Sequence, residues 1–235
     1  MVKRAFVMGD IHGQVGRVRD FCRGEETTLN DVLILLGDVG FNYNFDEYDR
    51  ARKEFVSKLP ITLICIHGNH EERPNNIKSY MVKSYPEFGC NCWVEEKYPN
   101  ILFPFDGKMT IEGKSFLTMG GAYSIDKYYR LSRGQRWFES EQMSENTKNY
   151  IRALVQHERD FDYVLTHTAP ISEEPTFLFL PGIDQSTVEK GVEIFLEEIK
   201  RKIKFKHWYF GHYHYDGNLS PNFTILYQDY LAIEG

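Results

Sequence analysis

One pattern constrains this chain more than any other. Short apolar runs end, again and again, in side chains that offer oxygen or nitrogen donors. Ala5-Phe6-Val7-Met8 leads into Gly9-Asp10-Ile11-His12-Gly13, and Val32-Leu33-Ile34-Leu35-Leu36 into Gly37-Asp38. Ile61-Thr62-Leu63-Ile64-Cys65-Ile66 leads, through His67, into Gly68-Asn69-His70-Glu71. Tyr163-Val164-Leu165-Thr166 leads into His167, and Trp208-Tyr209-Phe210 into Gly211-His212-Tyr213-His214. The runs are too short for helices and several are rich in β-branched residues, so they read as buried strands. Their lack of polar interruptions suits a sheet covered on both faces. Ligands of open α/β sheets bind at the carboxyl ends of strands. One Gly-Asp is an ordinary turn, and one His at a strand end an ordinary cap. Five such endings in one chain point to a shared site.

The elements between these strands fit a layered α/β domain. A helix is expected from about Val15 to Cys22 and another over Asp46–Leu59, closed by Pro60. The resulting β-α-β-α-β order makes the first strands parallel, with Val2–Met8 as a central strand. Asn76–Lys83 reads as a possible helix, and Pro86–Pro99 as irregular. Lys108–Ile111 and Ser115–Met119 flank Glu112-Gly113-Lys114 as a hairpin. Helices are expected over Glu141–Arg159 and over Thr187–Lys202, the latter capped by Thr187 with Val192, Phe195, Leu196 and Ile199 inward. Thr224–Tyr227 and Tyr230–Ile233 read as a second antiparallel patch. With no repeat, linker or low-complexity tract, 1–235 is read as a single domain of two face-to-face sheets with helices outside.

The candidate metal ligands are Asp10, His12, Asp38, Asn69, His167, His212 and His214. This mixed oxygen and nitrogen set, without thiolate, suits manganese, iron, zinc or similar divalent ions rather than a structural cysteine site. It is too large for one tetrahedral ion, and two ions sharing a carboxylate would use it all. Two-metal hydrolases hold such ions about 3.5–4 Å apart and acidify a bound water.

Gly9-Asp10-x-His12, Gly37-Asp38, Gly68-Asn69-His70-Glu71, His167 and Gly211-His212-x-His214 together resemble the motif set of the calcineurin-like metallophosphoesterases, in the family's order and over nearly the whole chain. The resemblance implies a two-sheet mixed β-sandwich flanked by helices, with a dinuclear site at the strand ends. It implies Asp10, His12 and His214 on one metal, Asn69, His167 and His212 on the other, and Asp38 bridging. Manganese is the first expectation, with iron, zinc, nickel or magnesium as alternatives. Glu71 is implied as a supporting residue. His70 is implied as the catalytic residue over the substrate, where an imidazole can protonate a leaving group.

The chain departs from the protein phosphatase branch of that family. The Asp that pairs the catalytic His and the phosphate-gripping Arg fall here on Phe41 and Asn42. That points to a small bacterial-type member and leaves the partner of His70 open. Arg130, Arg133 and Arg136, interleaved with aromatic rings, are the candidate substrate-binding replacements; a solvated basic face is the alternative.

The expected activity is phosphomonoester hydrolysis by attack of a metal-bound hydroxide on phosphorus. A phosphodiesterase acting on nucleotides or nucleic-acid ends is the alternative, and an inactive scaffold of the same fold is the non-enzyme rival. A formal charge of −6 argues against non-specific coating of nucleic acid. No apolar run is long enough to span a membrane, and no obligate protein partner is evident. The first strand follows Met1 almost at once and the four cysteines form no disulfide framework, so a cytoplasmic protein is expected. Cys90-x-Cys92 lacks a second pair for zinc. His67 is expected to support the site, and His157 and His207 to be structural. The apolar run Phe177–Pro181 could be a lid, a dimer contact or core.

Overall fold

The computed structural model describes residues 4–233. Two mixed sheets stack face to face, each backed by helices. The first runs in the order β13-β1-β2-β3-β6-β5-β4. Its strands are β1 (Ala5–Met8), β2 (Val32–Leu35), β3 (Thr62–Cys65), β4 (Tyr80–Tyr85), β5 (Cys90–Glu95), β6 (Ile101–Pro104) and β13 (Tyr230–Ala232). The second runs in the order β11-β12-β10-β9-β8-β7. It contains β7 (Gly107–Ile111), β8 (Lys114–Met119), β9 (Asp160–Thr166), β10 (Lys204–Phe210), β11 (Gly217–Ser220) and β12 (Phe223–Ile225). The helices are α1 (Val15–Gly24), α2 (Glu47–Val56), α3 (Lys127–Ser132), α4 (Glu145–His157) and α5 (Gly191–Lys200).

Alternation along the strands builds three apolar layers. Successive side chains point to opposite faces. Val7, Ile34 and Ile64 therefore meet Phe116, Leu165 and Tyr209 between the sheets. Phe6, Met8, Leu33, Leu35 and Leu63 turn outward onto Val18, Phe21 and Val56 of α1 and α2. On the other side Val164, Trp208 and Phe210 pack against Ile151 and Val155 of α4 and against Val192, Phe195, Leu196 and Ile199 of α5. A strand buried on both faces needs apolar residues at every position, which is why these runs show no polar interruption.

β1, β2, β3 and β6 are mutually parallel, as are β8, β9, β10 and β12. The carboxyl ends of β1, β2 and β3 thus lie side by side, as do those of β9 and β10. The α1 and α2 crossovers return the chain so that β1, β2 and β3 run parallel, which puts their donor-rich endings on one edge of the sheet.

Several local expectations are corrected. β1 lies beside the edge strand β13 rather than at the sheet's centre, and Val2 falls outside the described residues. Residues 76–83 are not a helix; a 3-10 turn over Pro74–Asn76 precedes β4, which pairs antiparallel with β5. The stretch 86–99 therefore holds a strand. β12 and β13 do not form one patch. β12 joins the second sheet parallel to β10, and β13 joins the first sheet antiparallel to β1. α4 and α5 are shorter than their patterns suggest, and Thr187 ends a separate 3-10 turn capped by Asp184.

Candidate metal centre

The donor-rich strand ends converge. Asp10 and Asp38 are buried at 0% and 2% exposure. The Asp10 carboxylate accepts from the His212 backbone N–H at 3.1 Å to each oxygen, and Asp38 Oδ1 accepts from the His70 N–H at 2.7 Å. Backbone amides of two motifs thereby orient the carboxylates of two others. His214 Nε2 lies 3.5 Å from Asp10 Oδ2, His12 Nε2 lies 3.9 Å from oxygens of both Asp10 and Asp38, and His167 Nε2 lies 3.6 Å from Asp38 Oδ2. The His212 and His167 rings are 5.0 Å apart, centre to centre.

The glycines before these residues make room for their neighbours. A Cβ on Gly68 would overlap the Asp38 carboxylate, and one on Gly211 would overlap that of Asp10. The turns themselves are strained. His12, Asp38, His212 and His214 sit at φ of 44°, 48°, 71° and 50°, in the left-handed region that non-glycine residues rarely adopt. Such strain persists where surrounding structure holds it and concentrates at functional sites.

The donors fit divalent cations. Asp10, His12 and His214 bring one ligand atom each within 4.8 Å of one another, as do Asp10, Asp38 and His167, and His12, Asp38 and His70. The Nε2 atoms of His12 and His214 are 2.9 Å apart. His167 Nδ1 lies 2.7 Å from the Leu36 carbonyl, to which it donates, while its Nε2 lies 2.8 Å from Asn69 Oδ1. Asn69 turns that oxygen inward by donating its amide to Ser124 Oγ at 2.9 Å. An amide oxygen cannot donate, so a positive charge belongs between it and the imidazole. Without a metal, a proton supplies it: burial lowers the His167 pKa, but Asp38 and Asp10 outweigh burial and raise it to about 9. Burial likewise raises Asp38, yet His167, His70 and His12 bring it well below the usual carboxylate range. Burial holds His212 and His12 in the neutral form that binds metals. Two buried carboxylates, with His212 and His12 held neutral beside them and His167 drawing a positive charge, are a cation's environment.

His70 has a partner that the sequence did not reveal. Arg130 of α3, only 3% exposed, hydrogen-bonds the His70 Nδ1 through one terminal nitrogen. A guanidinium can only donate, so Nδ1 accepts and the ring hydrogen sits on Nε2. Asp126 Oδ2 holds Arg130 Nε at 3.1 Å, and the other terminal nitrogen is buried without a hydrogen-bond partner. Burial lowers the His70 pKa, and Arg130 lowers it further. Arg133 and Arg136 lie elsewhere. Both are exposed, over the rings of Tyr129 and Phe45 at 5.5 and 5.1 Å. Phe41 is packed among apolar side chains, and Asn42 accepts from the Tyr80 hydroxyl at 3.0 Å. Arg130 could be singled out from sequence only as part of a basic segment, since α3 reaches His70 through tertiary packing.

Other expectations sort readily. Glu71 accepts the Gly68 N–H at 3.0 Å, a supporting role. His67 lines a separate cavity of about 740 Å³ with Arg73, Trp93 and Tyr150. His207 bonds Thr224 Oγ1 at 2.8 Å. The Cys90 and Cys92 sulfurs lie 3.8 Å apart, and both cysteines are free. Leu178, Phe179 and Leu180 wall a cavity of about 430 Å³ shared with Asp38, Asn69, His70, His212 and His214.

Two stacked mixed sheets with this donor set at their strand ends define the metallophosphoesterase class of fold. The family model for calcineurin-like phosphoesterases matches residues 3–216, and the chain belongs to that family. No curated protein matches it. Among solved structures, the chain is similar to the crystal structure of the phosphopantetheinyl hydrolase of Mycobacterium tuberculosis. The identity is 13%, 95% of this chain and 88% of that chain are covered, and the TM-score is 0.42. Among the described residues, no helix is long and apolar enough to cross a membrane.

Proposed function

We propose that this chain is a dinuclear metal-dependent hydrolase of phosphate esters, acting on monoesters. One observation carries the reading: two buried carboxylates and four imidazoles from separate strand ends share one space, beside a cavity large enough for a substrate. Asp10, His12 and His214 would hold one ion, Asn69, His167 and His212 the other, and Asp38 both. Manganese is the first choice of metal. Ions held there would supply Lewis-acid charge for the phosphoryl oxygens and acidify the attacking water.

The protein's own groups have distinct tasks in this reading. Asp38 and Asp10 are held in place by backbone amides, so they need little rearrangement to bind. Arg130 fixes the His70 tautomer, which puts a hydrogen on Nε2 for the leaving-group oxygen. Its unpartnered terminal nitrogen is a donor for a phosphoryl oxygen and takes the place of the phosphatase-branch arginine. Arg133 and Arg136 fall out of the substrate-binding set.

The test is hydrolysis of p-nitrophenyl phosphate beside bis-p-nitrophenyl phosphate by protein stripped of metal and refilled with Mn²⁺. Faster cleavage of the monoester, lost in Asp38→Asn by at least about a hundredfold, is the expected result. Preference for the diester would replace the monoester reading with a phosphodiesterase. Two bound ions with neither ester cleaved would favour a scaffold.

A further inference from the structure

The cavity of about 430 Å³ beside the centre extends from His70 and His212 to Glu193 in the first turn of α5. Its wall includes Tyr123, Ile125, Leu178, Phe179 and Val188. The Phe179 ring lies nearly parallel to that of Tyr213, at 19° and 6.4 Å between centres. Flat apolar surface of this kind favours a flat apolar body.

Glu193 is out of keeping with that wall. It is 3% exposed. Its Oε1 accepts from the Thr168 hydroxyl at 3.1 Å, while its Oε2 is buried without a hydrogen-bond partner. The other acids on the cavity are engaged. Asp38 accepts from the His70 N–H at 2.7 Å, Glu174 pairs with Lys190 at 2.6 Å and Asp126 with Arg130 at 3.1 Å. A buried carboxylate oxygen with no donor is costly, and a ligand that brings an N–H or O–H relieves the cost. Burial also pushes the Glu193 carboxyl up to about 7. Four carboxylates, Asp38, Asp126, Glu174 and Glu193, against one already paired lysine disfavour a second phosphate in this space.

We propose that this cavity is the leaving-group site and takes the phosphate ester of a flat, uncharged ring alcohol carrying an N–H or O–H donor that Glu193 Oε2 accepts. The inference rests on the phosphoester-hydrolase reading. Hydrolysis breaks the P–O ester bond, forms a P–O bond to water oxygen, and releases the alcohol with a proton into the cavity.

The experiment compares 1-naphthyl phosphate with 5-amino-1-naphthyl phosphate on the full, Mn²⁺-loaded chain at pH 8. The amino ester should show a KM about tenfold lower at similar kcat, and Glu193→Leu should bring the two KM values within about twofold. Equal KM values in the unaltered protein, or faster hydrolysis of tripolyphosphate than of either ester, would overturn the proposal without touching the hydrolase reading. If no ester is cleaved, including p-nitrophenyl phosphate, the hydrolase reading fails. The cavity is then judged by the fluorescence of the free alcohols: binding of 5-amino-1-naphthol about tenfold tighter than 1-naphthol supports the donor site, and equal affinity refutes it.

Discussion

Arg130→Met is the most informative single change at the centre. Arg130 is nine-tenths buried, with one terminal nitrogen on His70 Nδ1, Nε on Asp126 at 3.1 Å and the other terminal nitrogen unused. Methionine keeps much of the stem and removes every donor. His70 then loses the group that fixes its tautomer and, in the proposed mechanism, a phosphoryl oxygen loses a charged donor. A hydrogen bond involving a charged group contributes about 1.5–3 kcal/mol, which is roughly a 10- to 150-fold loss in kcat/KM for one such bond. Arg130→Lys should recover only part of it, because a lysine presents one point donor where the guanidinium presents a fork. The pH profile gives a second readout. Arg130 lowers the His70 pKa, so its removal raises that pKa and moves the limb governed by His70 to higher pH. The assay is steady-state hydrolysis of p-nitrophenyl phosphate from pH 5 to 9, with thermal melting to confirm the fold. An Arg130→Met protein with an unchanged melting point, activity within about twofold of the parent and the same pH limb would refute the reasoning.

Two further outcomes concern stability. Chelation of the metals should lower the melting temperature by roughly 5–10 °C for each ion held at a hundredfold excess over its dissociation constant, since that excess is worth about 2.7 kcal/mol per site and each kcal/mol shifts a domain of this size by about 2–4 °C; no change on calorimetry would argue against an occupied site. Glu193 is held at about 7 by burial, above the ordinary carboxyl value of 4.5. Its favourable contribution is therefore complete below about pH 4.5 and is lost as pH rises through about 7. Glu193→Gln should gain melting temperature relative to the parent between pH 5 and pH 8, and a constant difference across that range would contradict the burial argument.

Local pattern carried most of the fold. The runs ending at Met8, Leu35 and Cys65 declared themselves as strands because a sheet covered on both faces requires unbroken apolar residues. β4 did not, because four of its six residues are exposed at the edge of the first sheet and leave no alternation to read. β12 and β13 were legible as strands but not as members of different sheets. Strand pairing joins residues far apart in sequence, such as Phe6 with Ala232, and the chain between them does not record it.

The same division holds at the site. The sequence by itself determined the inventory of donors, because the chemistry of a carboxylate or an imidazole belongs to the residue. It also determined their position at strand ends, because strand length and the following turn are local. Only the tertiary structure decided which donors meet. His12 and His214 are 202 positions apart and their nitrogens are 2.9 Å apart, an approach that depends on the path of both sheets. The same path decided that Arg130 rather than Arg133 or Arg136 reaches His70, and that Glu193 keeps a buried carboxylate oxygen unpartnered at the cavity beside the centre. Burial and proximity set charge state and reactivity, and both are properties of the packed chain.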